Sequence, residues 1–143
     1  MNSRYTLIND AGTKAQAGQL HVATLDTTTG LMWPARPLPG RHTHAAALQH
    51  CADLRLGDFT DWQLPTIAQL QTIVDHTRYS PAIDEDSFPK TPSDWFWSST
   101  PASWEASSVA WIVGFYYGGA YAAPHDYKAF VRAVRVAQET TNV

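Results

Sequence analysis

The six histidines are the residues best suited to hold a metal ion, because neutral imidazole is a common ligand of transition metals. His42 and His44 are two positions apart, and His50 follows six positions after His44. A metal site needs imidazoles that converge on one point, and on a helix beginning near Thr43 the side chains of His44 and His50 do not closely share a face. The spacing predicts surface or capping histidines, and we expect no metal and no other cofactor.

Cys51 is the only cysteine of the chain, which excludes an intrachain disulfide and a zinc cluster built from cysteines. A cysteine nucleophile needs a neighbouring base and a third group that orients the base. Cys51 lies instead on the apolar face of a predicted helix with Leu48 and Ala52, where a thiol is usually a small inert hydrophobe. We therefore interpret Cys51 as a buried structural residue.

Motifs of the common enzyme classes are absent from the sequence: it contains no GxSxG, HExxH, P-loop or dinucleotide-binding fingerprint. Asp84, Glu85 and Asp86 offer adjacent carboxylates, but a calcium site would need further oxygen ligands from elsewhere in the chain. A solvated turn between prolines is the commoner explanation of such a cluster. These observations predict that the protein is not an enzyme.

Aromatic residues are concentrated in residues 95–127, where they alternate with small residues. They are too numerous to be core residues only, although any single one of them could be core. The run Tyr116-Tyr117-Gly118-Gly119 predicts a turn that displays its rings, and tyrosine and tryptophan on loops give large contact areas at low entropic cost. The predicted ligand-binding residues are Trp104, Tyr116, Tyr117, Tyr121, His125 and Tyr127.

The composition limits the classes of partner. The net charge of −3 and the pI near 6.0 give no basic surface for nucleic acid. No apolar window is long enough for membrane insertion, and the first residues lack the apolar centre of a signal peptide. We expect a protein that is cytoplasmic as synthesised, or virion-associated, and that binds a protein or glycan ligand, with oligomerisation possible.

The first half of the chain predicts the elements that position these residues. Residues 4–25 alternate loosely around two turn signals and predict an N-terminal hairpin, and Leu31-Met32-Trp33 predicts a buried strand. Thr43 is the predicted N-cap of a helix that continues to about Leu56. Thr66 and Gln69 have the spacing of a capping box and begin a second, amphipathic helix.

The second half predicts a long ordered loop and three strands. Residues 79–94 are rich in proline and acids, and Ile83 and Phe88 are expected to pin this loop to the core. Strands are predicted at 95–99, 109–116 and 130–136, the last one covered on both faces. Residues 137–143 predict a frayed tail, and because no linker or internal repeat occurs, residues 1–143 are expected to form a single domain.

Several sequence boxes, taken in order, are shared with a known family. They are TGLMW at 29–33, DWQLPT at 61–66 followed by Leu70, Phe88, FWSST at 96–100, Ala110-Trp111 and VRAVR at 131–135. In order and spacing they resemble the bacterial and phage domain of unknown function 1566, also called the Lcl C-terminal domain. The resemblance covers about residues 26–136, and the box positions of Trp33 and Trp62 beside apolar neighbours predict that both are core residues.

The resemblance implies an α+β, C-type-lectin-like fold, with two helices packed on a twisted antiparallel sheet and long irregular loops. Relatives of this fold include hypervariable ligand-binding proteins diversified by retroelements, whose variable residues cluster near the C-terminus. That location coincides with the aromatic segment, so the resemblance and the residue pattern indicate the same region. The fold is also related to formylglycine-generating enzyme, but that chemistry needs copper-binding cysteines, and this chain has a single thiol.

The sequence departs from the family pattern at two points, and it also lacks the sugar-binding triplets of calcium-dependent C-type lectins. The family often has a cysteine in the first helix and another in the VRCVR ending, which look like a disulfide pair, whereas this chain has Cys51 and Ala133. The missing partner suggests a reducing compartment or a lineage that does not need the bridge. Gln63 replaces the arginine of the WRLPT box, and the calcium-dependent sugar triplets EPN and WND are absent.

Three functions therefore stay open from the sequence. The first is a non-catalytic ligand-recognition module of bacterial or phage origin that binds a protein or glycan surface through its aromatic C-terminal patch. A structural virion or assembly subunit is the second, and an extensive symmetric interface would favour it. The third is an enzyme of unrecognised type that uses His125 and Asp126, or the loop at 84–86, for which a deep pocket with perturbed ionisable groups would speak.

Overall fold

The computed structural model describes residues 4–16, 18–102 and 109–137. In these residues seven strands form two antiparallel sheets. Two short helices accompany the sheets, so the fold is α+β and mostly sheet. The strands are β1 (Tyr5–Ile8), β2 (Ala23–Asp26), β3 (Leu31–Pro34), β4 (Trp95–Pro101), β5 (Val109–Gly114), β6 (Ala120–Pro124) and β7 (Arg135–Val136). The helices are α1 (His44–Asp53) and α2 (Ile67–Gln71).

The first sheet has the strand order β1-β2-β3-β7. β1 pairs antiparallel with β2, from Tyr5 opposite Asp26 to Ile8 opposite Ala23, and the buried strand predicted at 31–33 is confirmed. A tight turn joins β2 to β3: Gly30 donates its backbone N–H to the carbonyl of Asp26 at 2.8 Å and has a φ of 75°. Glycine reaches this conformation without the steric cost that a Cβ imposes, so the sequence itself sets the reversal.

The second sheet has the order β4-β5-β6 and contains a strand that the pattern did not predict. Residues 120–124 form β6, which pairs antiparallel with β5 from Val109 opposite Pro124 to Val113 opposite Ala120. The segment reads Ala-Tyr-Ala-Ala-Pro and lacks the β-branched residues that usually indicate a strand. Pairing with β5 decides its conformation, and Pro124 is tolerated because β6 is an edge strand.

Both helices begin at the predicted N-caps. The Thr43 hydroxyl accepts a hydrogen bond from the backbone N–H of Ala46, which satisfies one of the unpaired donors at the start of α1. Thr66 and Gln69 form the predicted capping box at α2, with reciprocal hydrogen bonds of 3.1 and 2.9 Å.

The C-terminal end predicted for the first helix, near Leu56, is wrong. The helix stops at Asp53, and Leu54 is extended. Leu56 pairs instead with Phe59 across a tight turn in which Gly57 and Asp58 both have positive φ. The two backbone hydrogen bonds of this pair, at 3.2 and 3.0 Å, replace those that a longer helix would have made.

A single strand was predicted at 130–136, and this prediction is wrong. These residues instead cross from one sheet to the other. Phe130 exchanges hydrogen bonds with Trp95 and Trp97 of β4, Val134 pairs with Gln63, and β7 pairs with β3. Only Arg135 and Val136 belong to a sheet, because the segment changes its hydrogen-bonding partner along its length. Both faces are covered at 131–134, which are fully buried, whereas Val136 is 58% exposed, so the predicted covering of both faces holds only for the middle of the segment.

Arg132 is a fully buried cation within this crossing segment. Its guanidinium donates to the carbonyls of Pro34 and Ala35 at 2.7 and 2.9 Å and to the hydroxyl of Thr91 at 2.7 Å. The Phe88 ring lies 5.1 Å from the guanidinium carbon, which adds a cation–π contact. Burial lowers the pKa of Arg132 to about 9, so it stays charged at neutral pH and ties β3, the long loop and the crossing segment together.

The core consists of two clusters of apolar side chains, one containing Trp62 and Trp97 and the other containing Trp33 and Phe88. Trp33 and Trp62 are buried, as predicted. Ile83 is buried in the cluster of Phe88, so the long loop at 79–94 is pinned where the sequence indicated. The two clusters hold the second sheet in place, and the connection between β5 and β6, together with β6, carries Tyr116, Tyr117 and Tyr121.

Candidate functional site

The turn between β5 and β6 displays two of the predicted aromatic residues, Tyr116 and Tyr117. Gly114 donates its N–H to the carbonyl of Gly119 at 2.9 Å, and Gly118 donates to the carbonyl of Gly114 at 2.8 Å. Gly118 has a φ of 91°, and a Cβ placed there would lie 2.3 Å from Cγ1 of Val74. Because no other residue fits this position, the turn can approach the segment that follows α2 only through a glycine.

This turn is held from below by the long loop. Ser80 donates its N–H to the carbonyl of Tyr116 at 2.9 Å, and Ala82 donates to the carbonyl of Phe115 at 2.8 Å. The Gln71 amide reaches the carbonyl of Gly118 at 3.3 Å. These bonds fix the backbone that carries the exposed rings, so the rings need little reorganisation before they bind a partner.

An aromatic cleft of about 200 Å³ opens beside the turn. Its lining consists of Trp95, Gly114, Tyr116, Tyr117, Gly119 and Tyr121. Tyr117 is 76% exposed, Tyr121 is 62% exposed and Tyr116 is 38% exposed, whereas Trp95 is half-buried. Three of the predicted ligand-binding residues therefore share one concave surface, and we call this surface the aromatic cleft.

Trp95 forms the wall of the aromatic cleft against which two tyrosines pack. Its ring centroid lies 6.0 Å from that of Tyr116, with an angle of 65° between the planes, and 5.1 Å from that of Tyr121, with an angle of 71°. Edge-to-face pairs of this kind are favourable for aromatic rings and fix their relative orientation. Trp95 therefore meets each of the two tyrosine rings at a steep angle, so the rings form a corner, not a flat platform.

Trp95 lines the aromatic cleft but was not among the predicted ligand-binding residues. It was counted among the aromatics of residues 95–127, but nothing local separates it from the buried Phe96 and Trp97 that follow. The signal that could have found it is Gly114, its partner across the β4–β5 pair. A strand glycine often marks a close approach of another group, and here the Trp95 indole occupies the space of the missing side chain.

His125 and Tyr127 do not line the aromatic cleft. They lie at a second aromatic cluster around the buried Trp97, whose ring centroid is 6.4 Å from each of their rings. His125 is stacked on His44 at 4.2 Å with an angle of 12° between the ring planes. The predicted patch is thus divided in two by the structure, and the sixth predicted residue, Trp104, lies outside the described residues.

His44 is buried at the first position of α1. Its Nε2 lies 3.0 Å from the carbonyl of Ser98, and because a carbonyl only accepts, this nitrogen carries the proton. Burial lowers the pKa of His44, the bond to Ser98 opposes this effect, and the neighbouring His125 lowers the pKa further. His44 is therefore a buried imidazole whose environment favours the neutral form.

A more polar concavity of about 310 Å³ lies beside β1 and is lined in part by Arg4, Asp75, Arg78 and Asp84. Its cations are paired: Arg4 binds Asp26 through two hydrogen bonds, and Arg78 contacts both Asp75 and Asp84. Paired charges of this kind leave little attraction for an incoming ion. The aromatic cleft is therefore the stronger candidate for a binding site.

The thiol of Cys51 is buried against the core, as predicted. Burial raises its pKa to about 12, so the reactive thiolate is scarce at neutral pH. Within residues 4–16, 18–102 and 109–137, no group of three or more histidine, cysteine or acidic residues is arranged to hold a metal ion. In the same residues, no helix is long and apolar enough to cross a membrane.

The fold and the cleft define a small α+β protein, mostly sheet, with an open aromatic cleft on a β-hairpin. A family model described as the Lcl C-terminal domain matches residues 22–135, and the chain belongs to this family. The resemblance to the Lcl C-terminal domain is thereby confirmed. No curated protein matches the chain.

Proposed function

We propose that the protein is a non-catalytic recognition module of bacterial or phage origin that binds a protein or glycan ligand through the aromatic cleft. The observation that carries this proposal is the exposure of Tyr117 and Tyr121 on a turn whose backbone is fixed by hydrogen bonds. Tyrosine side chains in the core would be covered, and here they face solvent around a concave surface.

The energetics of recognition support this proposal. Aromatic residues are enriched among the side chains that dominate binding energy, and their rings bury a large area while few torsions become fixed. Gly119, where a Cβ would meet nothing within 4 Å, leaves that part of the cleft open to a ligand. Tyr116 adds a wall that is itself packed against Trp95, so part of the cleft is already organised.

We further propose that the fold is C-type-lectin-like and that the family is the same as domain of unknown function 1566. Two small helices beside antiparallel sheets and a long loop at 79–94 are consistent with that fold. The aromatic cleft lies in the C-terminal half of the chain, where the resemblance implies the variable ligand-binding residues of related proteins. A recognition role for the cleft follows from both arguments.

The experiment is a search for a ligand followed by a comparison of variants. Tagged protein is tested on a glycan array and in affinity purification from lysate, and each candidate ligand is then titrated against the wild type. Replacing Tyr117 and Tyr121 with alanine should weaken binding by about tenfold or more, since aromatic anchors often contribute 2 kcal/mol or more. The melting temperature should change little, because exposed positions carry little packing energy.

Tyr79→Ala is the matched control. Tyr79 is 73% exposed, similar to Tyr117, but it does not line the aromatic cleft. Its replacement should leave affinity unchanged. If the Tyr79 variant loses as much affinity as the cleft variants, or if ligands bind the cleft variants normally, the proposed site is wrong.

A further inference from the structure

We propose that the aromatic cleft accommodates a methylated ammonium group, as found in choline or trimethyllysine. This inference rests on the proposed function, because it names the chemistry of the ligand group that the same site would recognise. It concerns the space between the rings of Trp95, Tyr116 and Tyr121, with Tyr117 at the rim.

The geometry of the rings carries the inference. Trp95 meets Tyr116 at 65° and Tyr121 at 71°, so rings with different orientations border a small common space. The negative face of an aromatic ring attracts a cation, and several rings arranged around one point form the aromatic cage that recognises quaternary ammonium groups. A volume of about 200 Å³ has room for a trimethylammonium head and part of its chain.

The charges around the cleft favour a methylated cation over a primary ammonium. The described residues that line the cleft are aromatic residues and glycines, without a carboxylate. Asp94, which precedes Trp95, is paired with Arg41 and so is already neutralised. A lysine ammonium would lose its strong hydration there without gaining a charged acceptor, whereas a trimethylammonium has no N–H donor to satisfy.

A cation is also favoured over a neutral sugar. A pyranose stacks on one open ring face and presents hydroxyl groups that need hydrogen-bond partners. In the aromatic cleft Trp95 meets Tyr116 and Tyr121 at steep angles, which leaves no flat platform for a pyranose. The tyrosine hydroxyls are side-chain hydrogen-bond groups that its lining offers to a sugar, and the glycines contribute none. The overall charge of −3 adds a weak attraction for cations and none for anions.

The test compares choline with 3,3-dimethyl-1-butanol, which has the same shape but a neutral carbon in place of the charged nitrogen. Each compound is titrated into the intact protein and followed by NMR shifts of the assigned Trp95 indole N–H. Choline should bind at least about tenfold more tightly than the neutral alcohol, equivalent to about 1.4 kcal/mol of cation–π energy. Equal affinities would show an apolar pocket without charge recognition and would overturn the inference.

Two substitutions of Tyr121 separate the cation–π attraction of its ring from the apolar contact that any side chain of similar size would make. Tyr121→Phe retains the ring and should bind choline within about twofold of the wild type, whereas Tyr121→Leu should lose about tenfold in affinity for choline. The neutral alcohol should be affected little by either substitution. Tyr79→Ala, outside the cleft, is the control and should bind choline normally.

The outcomes distinguish this inference from the proposed function. If methyl glycosides shift the Trp95 signal and choline does not, the ammonium inference is overturned while a recognition role for the cleft is supported. If cleft variants abolish binding of an isolated protein or glycan ligand but choline never binds, the ammonium inference is likewise overturned and the recognition role is likewise supported. If choline binds as expected but no isolated ligand depends on the cleft tyrosines, the ammonium site stands and the proposed recognition of a protein or glycan surface fails.

Discussion

Trp95 lies directly over Gly114, its partner across the β4–β5 pair, in the space that a side chain would otherwise occupy. An ideal Cβ on Gly114 would be 2.7 Å from Cζ3 and 2.9 Å from Cε3 of the indole. Contacts this short force the ring to move. The position of the cleft wall is therefore set by the absence of a side chain on the neighbouring strand.

Gly114→Ala should displace the Trp95 ring and lower the free energy of unfolding by about 1–3 kcal/mol, the usual range for overpacking. The Trp95 indole resonance should shift, and the cleft should lose affinity for its ligand. Gly119→Ala is the matched control, because a Cβ on Gly119 meets nothing within 4 Å. Denaturant unfolding of both variants checks the prediction, and equal stabilities would contradict it.

Trp62→Ala should destabilise the protein by about 3–5 kcal/mol, because it removes a large side chain from the core. Trp62 is buried in one core cluster, and the Phe59 ring packs edge-on against it at 6.5 Å. Tyr117→Ala should change the free energy of unfolding by less than about 0.5 kcal/mol, because its side chain faces solvent. A Trp62 variant that unfolds at the same denaturant concentration as the Tyr117 variant would disprove the core assignment.

Arg132→Met should cost about 3 kcal/mol or more, although methionine fills a similar volume. The substitution leaves the carbonyls of Pro34 and Ala35 and the Thr91 hydroxyl without their charged donor in a buried environment. Arg41→Met serves as a comparison at a solvent-exposed ion pair with Asp94 and should cost less than about 1 kcal/mol. Chemical denaturation of both variants measures the difference, and similar losses would show that the buried bonds contribute little.

Acid should destabilise the folded protein partly through His44. Its pKa is lowered in the folded state, so the unfolded chain, with a histidine pKa of about 6.5, takes up the proton first. The free energy of unfolding should therefore fall as the pH drops below about 6.5, until the folded pKa is reached. At higher pH His44 is neutral in both the folded and the unfolded chain, so this loss of stability is absent there.

His44→Gln tests this assignment, because the glutamine amide can still donate to the carbonyl of Ser98 but does not titrate. The variant should lose less stability between about pH 7 and pH 5 than the wild type. An unchanged pH dependence in the His44 variant would show that other groups control the acid response.

Some features of this protein follow from local sequence and were predictable. The N-caps at Thr43 and Thr66 depend on hydroxyl groups and backbone donors within three residues, so they are visible in a short window. The buried strand at 31–33 and the turn at 116–119 depend on apolar runs and on glycine. Trp33 and Trp62 were predicted to be buried from their apolar neighbours, and they are.

Other features depend on partners that are distant in the chain. The conformation of β6 comes from pairing with β5, and the end of α1 at Asp53 comes from the pairing of Leu56 with Phe59. Neither pairing leaves a periodic pattern in the segment that it determines. Local propensity was therefore overridden by hydrogen bonds that form only in the folded chain.

The sequence by itself determined that this chain has an aromatic C-terminal half with a glycine turn, and that its helices begin where they do, because those signals are local. Only the tertiary structure decided which aromatics act together. It brought Tyr116, Tyr117 and Tyr121 to Trp95, and it placed His125 and Tyr127 around Trp97 instead. The physical reason is strand register, since the pairing of β4 with β5 places Trp95 opposite Gly114 and the pairing of β5 with β6 places Tyr121 beside it.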